Sequence, residues 1–261
     1  GCGCGGVSVG KVYVVGIGPG DPELMTVRAR KVLKSVDVVV GYRSYVRQAR
    51  EVIPDGVEVR EYGMREERKR AREAVRLAAE GRRVAVVSGG DPGVYGMAGL
   101  VLSMAEVEGV EVEVIPGVTA ACAAAALLGA PLMLDFAVVS LSDHLVPLDE
   151  ILERARAALE SDFVLVVYNP SSSERRHAFR AFLDVLEESV EPERPVGVVW
   201  DAYRSRQRVV VTRVGELRSL EDRIDMRSIL IVGSSRTRVA DGRMITERGY
   251  SSSRTGRNSR E

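Results

Sequence analysis

Glycine, proline and small polar residues cluster in five short segments whose composition suits ligand chemistry. The first is Gly16-Ile17-Gly18-Pro19-Gly20-Asp21-Pro22. A glycine-rich turn between a strand and a helix often cradles a phosphate on the helix N-terminus. The dinucleotide pattern GxGxxG requires glycine where Asp21 stands, and a carboxylate there repels a pyrophosphate. Pro19 also removes one amide donor and stiffens the turn. The segment therefore reads as a close backbone approach to a ligand other than a dinucleotide, or as a plain tight turn in which Asp21 caps the following helix. Residues 5–11 spell the GxxxxGK body of a phosphate loop, but Val12 replaces the magnesium-binding Ser or Thr and the segment precedes its strand.

The second segment is Ser88-Gly89-Gly90-Asp91-Pro92-Gly93-Val94-Tyr95-Gly96, and the third is Pro116-Gly117-Val118-Thr119-Ala120. Each follows an apolar run, so open backbone amides and carbonyls fall at the carboxyl end of a strand, the ligand-bearing edge of an α/β sheet. Asp91 can bond a hydroxyl or an ammonium, or cap a helix over residues 94–105. Thr119 and Ala120 stand at the mouth of an alanine-rich helix. The fourth and fifth segments contain Ser140, Ser142, Asp143 and His144, and Tyr168-Asn169-Pro170. Asp143 and His144 are read as a candidate acid/base pair. His177 sits among arginines on a polar helix and reads as surface.

These segments need elements to hold them. Val- and Ile-rich runs at 12–15, 36–40, 84–87, 110–115, 136–140, 163–168, 196–200, 209–214 and 229–232 are mostly continuous, as strands buried on both faces are. Helical patterns at 24–34, 65–80, 94–105, 119–128, 148–159 and 175–188 alternate with them, which predicts α/β units. The runs at 196–200 and 209–214 flank a short polar stretch and predict an antiparallel hairpin. The expectation is therefore two α/β domains, a mainly parallel N-terminal sheet and a mixed C-terminal one. Residues 1–10 read as a flexible leader, 11–120 and 121–250 as the domains, and 251–261 as a disordered Ser/Arg tail.

The 261 residues carry 37 basic and 37 acidic side chains; four of the basic ones are lysine and the rest arginine. Zero net charge argues against a duplex nucleic-acid binder, while an Arg-lined pocket for an acidic small molecule stays open. No run reaches the roughly 20 apolar residues of a membrane span. The opening residues lack a signal-peptide core. Three cysteines make no disulfide framework, so a cytoplasmic location is expected. No HExxH or CxxC occurs, and no metal site is expected.

Taken in order, GIGPGDP, SGGDPGVYG, PGVTA, YNP and the VGEL segment resemble the tetrapyrrole methylases, which depend on S-adenosylmethionine. The resemblance covers residues 11–250. Finer features are Gly41-Tyr42-Arg43-Ser44-Tyr45, the stretch from Gly93 to Gly99, the stretch from Ser140 to Asp143, and the ending from Ser234 to Tyr250. These look like the branch that methylates carbon 17 of precorrin-3B or cobalt-factor III in cobalamin biosynthesis and contracts the ring. The resemblance implies the tetrapyrrole methylase fold, with the active site in a cleft between the domains, and a homodimer. It implies cofactor contacts at Pro19, Gly89, Gly90, Asp91, Val94, Thr119, Ala120, Asn169 and Ala202. Substrate contacts are expected at Gly18, Gly20, Arg28, Arg43 and Ser142, with Arg47 and Arg65 as further clamps for carboxylate arms. Proton removal during ring contraction is expected from Asp143, Asp21 or Tyr42.

The sequence departs from the family in places. Related uroporphyrinogen methylases carry an acidic residue in a YDR-type stretch, whereas Gly41-Tyr42-Arg43 has none. His144 stands where the family has an apolar residue, and the iron–sulfur domain found in some relatives is not expected within these 261 residues, which hold three cysteines. Three rival readings remain: another branch of the same superfamily, a nicotinamide-dependent oxidoreductase using Asp37 for a ribose, and a non-catalytic corrinoid carrier.

Overall fold

A computed structural model of the chain describes residues 10–249. The leader, the GxxxxGK segment except Gly10 and Lys11, and the Ser/Arg tail lie outside the described residues. Two compact units are present: residues 10–123 with Asp201–Gln207, and residues 124–200 with 208–249.

The first unit contains β1 (Lys11–Gly16), α1 (Val27–Ser35), β2 (Val38–Tyr42), α2 (Arg43–Ala49), β3 (Glu58–Tyr62), α3 (Glu67–Ala79), β4 (Arg83–Ser88), α4 (Ala98–Glu108) and β5 (Glu111–Ile115). Its sheet is all parallel, in the order β3-β2-β4-β1-β5. Strands β2, β4 and β1 are central and almost wholly buried, as their Val-rich runs demand. Edge strand β3 carries three charged residues in five and is half-exposed, a pattern easily passed over as a loop. One core packs Ala71, Ala74, Val75 and Val101 on one face of the sheet; the other packs Leu33, Val46 and Ile115 on the opposite face. The chain leaves β1 toward β2 on one side and leaves β4 toward β5 on the other. The strand order therefore reverses between β1 and β4, the place where open α/β sheets carry ligands.

Helix α5 (Ala120–Leu128) leads to the elements of the second unit: β6 (Gly129–Ala130), β7 (Phe136–Ser140), α6 (Leu148–Glu160), β8 (Val164–Tyr168), α7 (Arg176–Ser189), β9 (Pro195–Trp200), β10 (Arg208–Arg213), β11 (Ser228–Val232), β12 (Thr237–Ala240) and β13 (Arg243–Thr246). The main sheet runs β10-β9-β11-β8-β7. Only the β7–β8 pair in it is parallel, so the sheet is mixed, as expected. Phe179, Phe182, Leu183 and Leu186 of α7 fill its core with 0–1% exposure. Each is worth about 1.5–3 kcal/mol of apolar burial. A small sheet of β12, β13 and β6 was not foreseen; its hairpin turns at Asp241-Gly242, both with positive φ.

Two helix starts differ from expectation. The proposed helix over 24–34 begins at Val27, because Thr26 Oγ accepts from Ala29 N at 3.0 Å. Asp21 instead caps a single 3-10 turn, Pro22–Leu24, accepting from Glu23 N at 2.9 Å. The helix expected from Val94 starts at Ala98, since residues 89–97 are used as a loop. Among the described residues, no helix is long and apolar enough to cross a membrane.

Candidate functional site

Three loops leave the carboxyl ends of the adjacent strands β4, β1 and β5, and backbone contacts join them. Gly18 N donates to Gly90 O at 3.1 Å, and Gly90 N donates to Gly18 O at 2.9 Å. Ile17 N adds a bond to Ser88 O at 3.0 Å. A Cβ on Gly16 would lie 2.8 Å from both Gly117 N and Gly90 O; one on Gly117 would lie 2.2 Å from Gly90 O. No other residue type fits there without moving main chain. The first, second and third glycine segments are thus one fused structure.

Asp91 locks it. Its Oδ1 accepts from Gly93 N at 2.8 Å and its Oδ2 from Gly117 N at 3.0 Å, tying the second loop to the third. It does not cap α4, contrary to the helix-capping expectation. Around this frame Gly89, Gly90, Val94, Thr119 and Ala120 are half-exposed. Their small side chains leave backbone groups within reach of a ligand. Tyr45 of α2 lies against Gly89, where a Cβ would be 2.7 Å from its ring. Burial pushes the Tyr45 phenol up, with the positive charges of Arg204 and Arg70 opposing. Tyr42 meets Tyr45 edge-on at 5.3 Å.

The turn Asp201–Gln207 belongs to this same unit. Arg204 Nε donates to Pro19 O at 2.9 Å, and its terminal NH2 nitrogen donates to Gln48 Oε1 at 3.2 Å. Ala202 is half-buried between Asp201 and Tyr203, both with positive φ. Arg43 and Arg47 are exposed on α2. Arg28, expected as a substrate clamp, is paired with Glu113 of β5. Arg65 opens α3's approach with φ 63°.

In the second unit the parallel pair β7–β8 sends two loops to one edge. Asn169 Nδ2 donates to Ser140 Oγ at 2.9 Å, and Ser142 N donates to the same oxygen at 3.3 Å. Buried Arg175 donates to Leu141 O at 3.0 Å. The proposed Asp143–His144 pair is not formed. Asp143 Oδ2 instead meets His177 Nε2 at 3.2 Å, because the loop after β8 returns through the start of α7 beside the loop after β7. His144 is exposed. Burial works against the Asp143 charge, but the His177 hydrogen bond, a backbone bond and the charges of His177 and Arg175 outweigh it and hold the carboxyl below its usual range.

Sequence reasoning missed Arg204, Gln48 and His177. Arg204 lay in a stretch read only as a hairpin connection, and no spacing rule links Asp143 to a histidine 34 residues later. A shallow cavity of about 380 Å³ lined by Leu132, Met133, Asp135, Phe136, Phe163 and Arg248 contains none of these loop residues. Among the described residues no group of three metal-ligating side chains is assembled.

Comparison with known proteins agrees with this frame. A relative from Salmonella typhimurium, "Probable cobalt-factor III C(17)-methyltransferase", is 46% identical over 240 residues, covering 91% of this chain and 98% of that one. "Cobalamin biosynthesis protein CbiHC" of Archaeoglobus fulgidus is 47% identical over 94% of this chain, which spans 54% of the relative's length. The chain likewise spans 45% of the cobalt-factor III methyltransferase of Priestia megaterium, so it covers about half the length of these two relatives. The crystal structure of the methyltransferase CobJ superposes with TM-score 0.86 at 37% identity, over 91% of this chain and 100% of that one. A uroporphyrin-III C-methyl transferase from Thermus thermophilus complexed with S-adenyl homocysteine gives TM-score 0.67 at 29% identity, over 86% and 97%. Residues 11–218 match the family described as Tetrapyrrole (Corrin/Porphyrin) Methylases, and with these relatives the match shows that the chain belongs to that family.

Proposed function

We propose that the chain is an S-adenosylmethionine-dependent methyltransferase of cobalamin biosynthesis that methylates carbon 17 of precorrin-3B or cobalt-factor III. The observation that carries this reading is the 46% identity along nearly the full length of the Salmonella relative. The fused loops at the β1/β4 reversal agree with it. Residues around them fit the donor: Gly89, Gly90, Thr119 and Ala120 are half-exposed, small and uncharged. They suit an adenosine and a sulfonium better than a phosphate.

When bound, S-adenosylmethionine supplies an activated methyl group. The chain's part is to position and to exclude water. Pro19, Gly89, Gly90, Asp91, Val94, Thr119, Ala120, Asn169 and Ala202 are the proposed cofactor contacts. Asp91 acts there through its backbone, since both carboxylate oxygens already accept bonds within the frame. Gly18, Gly20, Arg43 and Ser142 are the proposed substrate contacts; Arg28 joins them only by leaving Glu113.

Ring contraction is part of the proposal, and it needs a base for a hydroxyl beside the departing carbon. Asp143, Asp21 and Tyr42 are the proposed candidates, and Asp143 is the one paired with a histidine, His177. A homodimer and a cytoplasmic location complete the reading. Anaerobic incubation with S-adenosylmethionine and either precorrin-3B or cobalt-factor III tests it. Mass spectrometry should find one added methyl, and NMR should place it on carbon 17 of a contracted ring. A methyl on another carbon would assign the chain to a different branch; no transfer to either macrocycle would overturn the reading.

A further inference from the structure

We infer that Arg204 is a positioning residue that holds the first glycine loop in its working shape. The claim rests on the functional reading above for its kinetic meaning and on geometry for its substance. The loop's carbonyls at three successive residues are each bound from outside. Gln48 Nε2 donates to Gly18 O at 3.0 Å and reaches Ile17 O at 3.4 Å, and Arg204 Nε donates to Pro19 O at 2.9 Å. Arg204 also donates to Gln48 Oε1, which fixes the way that amide faces. Its guanidinium therefore holds one loop carbonyl directly and two through Gln48.

The loop cannot make this anchor by itself. Pro19 has no N–H, so its carbonyl is the peptide group through which the chain is held at that point. Gly20 follows without a side chain because the strap lies across it: a Cβ there would be 2.4 Å from Arg204 Cγ and 2.8 Å from Tyr203 O. Arg204 is in turn presented by a stiff turn. Arg204 N donates to Asp201 O at 2.9 Å, Gln207 N to Arg204 O at 3.1 Å, and Tyr203 N to Gln207 Oε1 at 2.8 Å. Asp201 and Tyr203 hold φ 46° and 58°, conformations that non-glycine residues adopt only when the surroundings impose them. Two acceptors set apart at fixed angles call for a planar fork, which arginine has and lysine lacks.

The test uses the full chain as R204A, R204K, Q48A and R204A/Q48A. Amide hydrogen exchange over residues 17–21 should speed up at least tenfold in R204A, and Tm should change little, because Arg204 is exposed. The tetrapyrrole KM should rise about tenfold in R204A and Q48A, and the Kd for S-adenosylmethionine by calorimetry should rise with it, because the loop also carries Pro19, a proposed cofactor contact. The double variant should be no worse than the poorer single one, because both residues act through one network. R204K should resemble R204A. Unchanged exchange in R204A, full rescue by lysine, or independent multiplying effects in the double variant would each overturn the inference. The exchange measurement needs no turnover, so it decides the point even if the wild-type chain transfers no methyl group.

Discussion

The loops of the first unit and those of the second sit at equivalent sheet edges but are held in different ways. After β1, β4 and β5 the loops touch main chain to main chain, at distances a single methyl group would violate. After β7 and β8 they are joined by side chains: Asn169 to Ser140, Arg175 to Leu141, and His177 to Asp143. Backbone fusion gives a surface of fixed shape. Side-chain joints give contacts that substitution can weaken one at a time. The contrast predicts that the first edge tolerates almost no substitution and that the second loses function by degrees.

The largest effect is expected at Gly117. Gly117→Ala must push Gly90 O aside and should cost ~3 kcal/mol in urea unfolding, with loss of S-adenosylmethionine binding. If G117A unfolds like wild type, the first edge is not fused. Next comes Asp91→Ala, which strands the Gly93 and Gly117 amides and should cost ~2 kcal/mol by the same measurement. Asp91→Asn keeps one acceptor oxygen and should fall between.

On the second edge, Asn169→Ala removes one bond to Ser140 and leaves a non-glycine residue at φ 49°, for ~1 kcal/mol in all. Asn169→Gly, which relaxes the backbone, should recover part of that. The smallest effect belongs to His177→Ala. Asp143 has its pKa lowered in the folded chain, so its contribution to stability is present above the ordinary carboxylate range and is lost as pH falls through the lowered value. His177→Ala should flatten that acid-side loss by ~0.5 kcal/mol or less, because His177 is 61% exposed. Urea midpoints measured from pH 7 down to pH 3 would show it, and added salt should shrink the difference. A larger effect at His177 than at Asp91 would reverse the comparison.

Legibility in the sequence followed burial. The central strands were readable because strands covered on both faces must be apolar throughout, as in Val84–Val87 of β4. Edge strand β3 was not, because its charged residues face water. The β12–β13 hairpin carried a readable turn in Asp241-Gly242, but its strands are short and half-polar. The glycine segments stood out because the chain has no other reason to place so many small residues after strands. Asp91 was readable as a candidate ligand contact or helix cap but not as a crosslink between loops.

The sequence by itself determined the alternation of strands and helices, the mixed character of the second sheet and the glycine-rich segments that follow the strands. Each follows from short-range demands: burial on two faces, turn geometry, and the exclusion of side chains. Only the tertiary structure decided partners. It gave Asp143 to His177 rather than to His144, joined Asp91 to Gly117, and laid Arg204 across Gly20. These pairs are separated by 26 to 184 positions along the chain. What brings them together is the order and direction of strands in a sheet, which no local pattern of residues encodes.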